Sequence, residues 1–301
     1  MLLPFISCEN RVRESLIVED AVFEDSFQLS MGDQILNYTC HKGKLLFELA
    51  YGKPVCRVTD KHGKELYNFG RLGNGNGEFL MPVLLCSEDS VYIYDCHRKL
   101  LYSFVDSTIV NYKKMSITDS ENKIQILKWP YIGYYVHRLK TLEWKLCHLA
   151  SGNNTASLFF RDEINNTESY LQSFDWDACS EHVVFAQTYY DTFRICTLSD
   201  DMHILSDNNY SQTNGKPTND RPFYTGVVCA PDRFFLLSQK GLLFSDSRES
   251  GESEIEVYDY NGNMMRKIKL GCIIMKMRFD RDLGLLYLLK ADETMMKILK
   301  I

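Results

Sequence analysis

Three kinds of residue in this 301-residue chain could carry chemistry, and each points to a different class of site. The first is the run Gly70-Arg71-Leu72-Gly73-Asn74-Gly75-Asn76-Gly77, whose backbone amides could cradle a phosphate. A phosphate loop also needs a Lys-Ser or Lys-Thr pair and a following helix, but this run leads into Glu78-Phe79-Leu80-Met81-Pro82 and an apolar strand pattern. Its expected role is a connector between strands. The second kind is the potential metal ligands. The ten cysteines contain no Cys-x-x-Cys pair and the seven histidines are equally dispersed, so neither metal nor cofactor is expected. Most thiols sit in alternating apolar runs such as Val55-Cys56-Arg57-Val58, the setting of a small buried hydrophobe. No G-x-S-x-G elbow occurs, and no catalytic residue is assigned. The third kind is a set of aromatic and arginine residues near loops: Arg71, Trp129, Tyr131, Arg161, Tyr190 and Arg221. Aromatic faces stack on planar groups and guanidinium groups pair with carboxylates or carbonyls, so this set speaks for recognition rather than turnover.

What must position these residues is a chain of strands. Period-2 alternation dominates, as in Ser90-Val91-Tyr92-Ile93-Tyr94-Asp95, and helical periodicity is never sustained. Val58-Thr59-Asp60-Lys61-His62-Gly63-Lys64-Glu65-Leu66 and Val257-Tyr258-Asp259-Tyr260-Asn261-Gly262-Asn263-Met264-Met265 share one spacing. In it Asp bonds the turn backbone and Gly takes positive φ, which makes a tight hairpin. Looser versions at Asp106, Thr141 and Asp200 bring the interval to about 50 residues, the length of a four-stranded propeller blade. The expected fold is all-β, one six-bladed propeller over 21–301 after an N-terminal tether or signal remnant over 1–20. Blade 3 is expected at Lys113–Thr118, Lys123–Trp129, Tyr134–Leu139 and Trp144–Leu149. Blade 6 has only three strands, so Ala21–Leu29 is expected to pair with Met295–Ile301 and close the ring.

Loop lengths then suggest a face. Long insertions at Arg71–Glu78, Ala150–Ser169, Asp207–Pro222 and Lys240–Ser253 are expected at one end of the propeller, together with Trp129-Pro130-Tyr131 and Tyr189-Tyr190-Asp191. The balance of 34 basic against 40 acidic residues, net −6, provides no global field for a nucleic acid backbone. No stretch approaches the roughly 18 apolar residues of a membrane helix. The opening Leu2-Leu3-Pro4-Phe5-Ile6-Ser7-Cys8 is similar to the end of a bacterial lipoprotein signal, with Cys8 as the lipidation site and only membrane link. The other reading is an ordinary apolar terminus of a cytoplasmic protein, which the unpaired cysteines favour.

The run from Phe69-Gly70 through Phe79-Leu80-Met81-Pro82, then Val91-Tyr92-Ile93-Tyr94-Asp95 and Phe104, resembles one NHL repeat. The whole chain, with its degenerate blades, the Glu256-Val257-Tyr258-Asp259-Tyr260-Asn261-Gly262-Asn263 hairpin and Cys8, resembles the TolB-like six-bladed propellers that abound as lipoproteins in Bacteroides-type bacteria. The resemblance implies an envelope location, periplasmic or at the outer membrane, and binding rather than a defined reaction. The expectation is a monomeric, non-enzymatic propeller for a protein, peptide or glycan. The alternative is a metal-assisted lactonase or lyase with acidic and amide side chains at the ring's centre, where the expected inner-strand starts carry Glu78, Lys113, Glu168, Asp220 and Gly271.

Overall fold

The computed structural model describes residues 16–29, 34–50, 53–87, 90–115, 124–138, 141–149, 151–161, 174–211, 222–239, 252–290 and 294–298. Among them are twenty-five strands and no helix. The first two strands, β1 (Ile17–Asp20) and β2 (Phe23–Gln28), belong to the last two blades. Blade 1 is β3 (Ile35–His41), β4 (Lys44–Leu49), β5 (Cys56–Thr59) and β6 (Glu65–Phe69), and blade 2 is β7 (Pro82–Cys86), β8 (Val91–Asp95), β9 (Leu100–Val105) and β10 (Thr108–Lys114). Blade 3 is β11 (Ile124–Lys128), β12 (Tyr131–Arg138), β13 (Thr141–His148) and β14 (Asn154–Arg161), and blade 4 is β15 (Phe174–Cys179), β16 (His182–Gln187), β17 (Thr192–Leu198) and β18 (Ile204–Ser211). Blade 5 is β19 (Tyr224–Cys229), β20 (Phe234–Ser238), β21 (Glu254–Tyr258) and β22 (Met264–Lys269), and blade 6 is β23 (Ile274–Asp280), β24 (Leu285–Lys290), β25 (Thr294–Ile298) and β2. The chain is a six-bladed β-propeller.

The hairpin chemistry is as the spacing predicts. Asp60 Oδ1 accepts the amides of His62 and Lys64, both at 2.9 Å, and Gly63 takes φ of 83°. Asp259 Oδ1 does the same for Asn261 at 3.0 Å and Asn263 at 2.8 Å, with Gly262 at 82°. The core is divided among six apolar clusters, and each lies between two adjacent blades. Trp144 and Leu146 of blade 3 meet Trp176 and Phe185 of blade 4, for example, and Tyr38 and Phe47 of blade 1 meet Tyr287 and Leu289 of blade 6. Six blades with six filled interfaces form a closed ring, so the burial that drives folding is spent between sheets rather than within one.

Side chains stitch the inner strands where no sheet ladder runs. Asp175 and Asp177 of β15 accept the amides of Val227 and Cys229 of β19, each at 2.8 Å, and Gln125 of β11 donates to Trp176 O at 3.1 Å. Glu48 accepts the Leu84 amide at 3.2 Å, and Gln239 donates to Ile274 O at 3.1 Å. These bonds satisfy inner-strand backbone groups that would otherwise be buried and unpaired.

Closure follows the expected pairing. β2 lies antiparallel to β25, with Phe23 opposite Ile298 and Gln28 opposite Thr294. The expected tether over 1–20 is corrected at its end. Ile17–Asp20 is itself a strand, parallel to β22 as a fifth strand of blade 5, with Glu19 ion-paired to Arg266. The polar run hides this because a rim strand needs backbone partners and little apolar surface. Cys8 and the rest of that segment up to residue 15 lie outside the described residues.

Blade 3 holds the main correction. Lys113 and Lys114 belong to β10, paired with Leu101 and Leu100, so Lys113–Thr118 does not begin a new blade and Lys113 does not face the axis. The missing strand is β14, which pairs with β13 inside the stretch expected to be an insertion at Ala150–Ser169. Thr141 accordingly starts β13 and does not anchor a third-to-fourth-strand hairpin. One strand too many at the start of the blade and one too few at its end cancel, which leaves the count of six intact. Each intervening strand, however, changes its place in the blade.

At Gly133 the interface between blades 3 and 4 is at its tightest. An added Cβ would stand 2.5 Å from Trp176 Cη2, 2.9 Å from Leu127 Cδ1 and 3.0 Å from Trp144 Cζ2. Gly133→Ala is expected to cost about 1–3 kcal/mol through overpacking. Equilibrium urea denaturation checks this, and an unchanged midpoint would show that the two indole rings give way freely.

Candidate functional site

In an antiparallel four-stranded blade, chain direction alternates, so the connections sort by end. Links from strand two to three and from strand four to the next blade share one end, here called the connector face. Links from strand one to two and three to four share the other, the turn face. All the long links lie at the connector face: 70–81, 115–123, 162–173, 212–223 and 239–253. At the turn face the links are short, such as 42–43, 129–130, 180–181 and 259–263. The loop asymmetry survives the correction of blade 3, because 162–173 replaces 150–169 at the same end.

The six residues expected to form one surface are divided by it. Arg71 is exposed in the 70–81 connector, and Arg161 ends β14 at the same face. Tyr190 is also there, in the β16–β17 link, but it is buried at 8% exposure and serves packing more than contact. Trp129 and Tyr131 flank the β11–β12 turn, which the correct strand count assigns to the turn face. Trp129 remains 48% exposed while stacking on Tyr92 of blade 2, with centroids 5.3 Å apart and planes 8° from parallel. Tyr131 packs edge-on against His148 at 5.0 Å. Arg221 lies outside the described residues. The sequence does not single out Leu36, Leu80 and Met81, which are 47%, 39% and 58% exposed at the connector-face ends of neighbouring β3 and β7. Apolar residues before a strand look like core in a linear reading, and only the ring shows that these emerge.

The glycine-rich connector is a built loop. Phe79 is fully buried, edge-on to Tyr102 at 5.1 Å, and its amide and carbonyl bond Arg71 O at 2.8 Å and Gly73 N at 2.9 Å. Glu78 Oε2 accepts the Gly75 amide at 2.8 Å, so a carboxylate of the chain already occupies an amide that a phosphate would need. Arg98 donates to Glu78 O, and to Asn74 Oδ1 at 3.2 Å. Asp95, with no exposed surface, takes the Leu80 amide on Oδ2 at 2.9 Å and those of His97 and Arg98 on Oδ1, both at 3.1 Å. Arg98→Ala is expected to leave the fold intact and to raise amide hydrogen exchange at Gly73–Leu80 about tenfold or more, since surface loops open locally when their pins are removed. Exchange that stays at the parent rate would mean that Phe79 alone holds the loop.

A cavity of about 240 Å³ lies among the inner strands, lined by the later residues of β3, β7, β15, β19 and β23 and by Ile124–Leu127 of β11. Asn37, His41, Gln125, Asp177, Arg278 and Asp280 contribute its polar groups. Burial and Lys42 hold the His41 pKa down, and burial pushes that of Asp280 up. Cys86, also on the lining, is driven by burial to about 12, and Cys96 near the connector face to about 11. Such thiols stay protonated near neutral pH and offer no thiolate nucleophile. Among the described residues, all nine cysteines are free, and no three His, Cys, Asp or Glu side chains are grouped to hold a cation.

The sequence matches no protein-family model and no curated protein. In three dimensions it is similar to the structure of U3-55K, with a TM-score of 0.53 and 12% identity over 91% of this chain and 98% of that one. It is likewise similar to the WD40 repeats of RRP9, with a TM-score of 0.52 and 11% identity over 93% and 98% of the two chains. At that identity the likeness shows the propeller fold and nothing of function.

Proposed function

We propose that the protein is a non-enzymatic binding propeller that engages a protein partner through its connector face. The observation that carries this reading is the gathering of every long link at one end, where the pinned 70–81 loop presents Arg71, Leu80 and Met81 beside Leu36. Exposed apolar side chains rimmed by a cation are what a recognition surface offers, and a loop held by Arg98 and Asp95 loses little entropy on binding. An extended peptide or a glycan would use the same surface. Kinship with TolB-like propellers and a lipid on Cys8 complete the proposal; they rest on the Asp259 hairpin and the Ile6-Ser7-Cys8 junction.

The test is co-purification from native extract with cross-linking, followed by variants of the isolated pair. Met81→Asp with Arg71→Glu is expected to weaken binding by about 2 kcal/mol or more without moving the melting temperature. Trp129→Ala, on the turn face, is expected to leave it unchanged. The reverse pattern would assign the functional face to the other end. Mass spectrometry of the native protein checks the anchor: a diacylglycerol adduct on Cys8 supports the envelope location, and an unmodified full-length chain recovered from cytosol refutes it.

A further inference from the structure

Blade 5 holds a fifth strand, and the way it is held shows what the outer edge of this propeller accepts. β1 runs parallel to β22, the fourth strand of its blade, with Ile17 opposite Arg266, Val18 opposite Lys267, Glu19 opposite Ile268 and Asp20 opposite Lys269. The Ala21 amide donates to Lys269 O at 2.8 Å, and Glu19 is ion-paired to Arg266. The added strand is thus two apolar residues followed by two carboxylates, laid against a strand that carries Arg266, Lys267 and Lys269 and ends at the connector face. Backbone bonds hold such a strand, and opposite charge selects which one fits.

The outer edge of blade 2 repeats this arrangement with no strand of the described residues against it. β10 is likewise a fourth strand and likewise ends at the connector face, on the exposed pair Lys113-Lys114. Neither lysine makes an ion pair among the described residues. The Met115 amide turns inward to Lys99 O at 2.8 Å, so strand alternation turns the backbone groups of Tyr112 and Lys114 outward. The Tyr112 amide is met there by Asn111 Oδ1 at 2.8 Å, and the register slips between Ile109 and Asn111. A bulge and a short polar side chain blunt an unpaired edge, and an incoming carbonyl can replace Asn111 at the amide. Val110 and Tyr112 are 56% and 66% exposed, and the Tyr112 ring rests against Tyr102 with centroids 6.0 Å apart. The other fourth strands lack this charge: β2 carries Glu24 and Asp25, β6 carries Glu65, β18 carries Asp207, and β14 has a single arginine.

We propose that β10 binds an extended segment of a partner protein as a parallel fifth strand of blade 2, with two apolar residues beside Asn111 and Tyr112 and two carboxylates beside Lys113 and Lys114. Counted back from the connector-face end, Lys114 stands in β10 where Lys269 stands in β22, so the register of β1 carries over residue for residue. A basic segment would meet two lysines of like charge. A nucleic acid would set its phosphates against the outward carbonyls of Tyr112 and Lys114. The assignment concerns the rim of blade 2 and does not rest on the connector-face reading.

The probe is a fluorescein-labelled peptide Ser-Leu-Ile-Val-Glu-Asp-Ala-Val, the sequence of residues 15–22, added to the intact protein and followed by polarisation and amide hydrogen exchange. Saturable binding below about 1 mM is expected, with slowed exchange at Tyr112 and Lys114. The same peptide with both acids replaced by lysine is expected to fail. Lys113→Glu with Lys114→Glu is expected to weaken binding about tenfold or more. Tyr112→Pro removes an outward amide and leaves the β9 ladder intact, so it is expected to abolish binding; if it fails to fold, the lysine pair keeps the test open. Met81→Asp with Arg71→Glu is expected to leave peptide binding unchanged, which separates failure here from failure of the connector-face reading. No saturable binding, or equal binding by the lysine peptide, would overturn the proposal. Binding untouched by the lysine reversal would overturn it too, and would place the peptide on β22 in exchange for β1. A dimer in size-exclusion chromatography that Tyr112→Pro dissociates would instead assign the edge to a second copy of this chain.

Discussion

A chain beginning at Leu29 is expected to lose cooperative folding. Without β2, β25 becomes an open edge at the point where the last blade meets the first, and without β1 the rim of blade 5 loses its fifth strand. The loss reaches beyond hydrogen bonds. Phe27 packs into the cluster shared by blades 6 and 1, and its ring lies over Gly63 so closely that a Cβ there would stand 2.2 Å from Cδ2. Phe23 and Ala21 pack against the cluster between blades 5 and 6. One short segment therefore clasps three consecutive blades. Two aromatic side chains and a strand ladder account for several kcal/mol, a large part of the roughly 5–15 kcal/mol that a domain has to spare. Circular dichroism melting should show a broad, non-cooperative transition, and size-exclusion chromatography should show association through the bared edge. A sharp transition within a few degrees of the parent's, from a monomer, would show that the ring holds without its clasp. In the full chain, Phe27→Ser is expected to cost about 2–3 kcal/mol by the same packing argument.

The second large effect is expected at Glu256, which is 1% exposed in the middle of blade 5. Its Oε1 meets Lys267 Nζ at 2.9 Å across the β21–β22 ladder, and its Oε2 accepts from the hydroxyls of Tyr224 at 3.1 Å and Tyr258 at 2.9 Å. Glu256→Ala leaves an ammonium group and two hydroxyls facing an apolar blade, with Glu254 at 3.7 Å as the remaining counter-charge of Lys267. The expected cost is about 3–5 kcal/mol, the range for breaking a buried pair on one side only. Replacing both partners, Glu256→Leu with Lys267→Met, is expected to recover most of the loss, since neither charge is then stranded. Urea denaturation of the two single variants and the double variant forms a cycle. If Glu256→Ala cost less than about 1 kcal/mol, the pair would behave as a surface salt bridge, and the burial argument would fail.

Some of this molecule is legible because its physics is local. The turns at Asp60 and Asp259 need only a carboxylate, a glycine at positive φ and five residues of chain, so their spacing is enough to place them. Ring closure is legible for a related reason: an unmatched strand at each end of a repeating fold leaves one economical pairing. Blade 3 is not. β14 reads Asn-Thr-Ala-Ser-Leu-Phe-Phe-Arg, and at the rim, with one face to solvent, a strand needs no strict apolar alternation, so its first half resembles a loop. Missing it shifts the phase of the blade by one strand, and one strand of phase turns Trp129 and Tyr131 from one end of the propeller to the other.

The candidate sites show the same division. Arg71 in its glycine-rich loop is visible in the sequence, because glycines, charge and loop length are properties of neighbouring residues. Nothing near Arg281 announces that it reaches Ala178, 103 residues earlier in the chain. The sequence by itself determined the strand alternation, the Asp-Gly hairpins, the number of blades and the pairing of its two ends, since each follows from contacts within one repeat or from counting repeats. Only the tertiary structure decided which face each turn occupies, which aromatics are buried and what lines the axis. Those depend on strand direction accumulated around a closed ring, where residues distant in the chain meet.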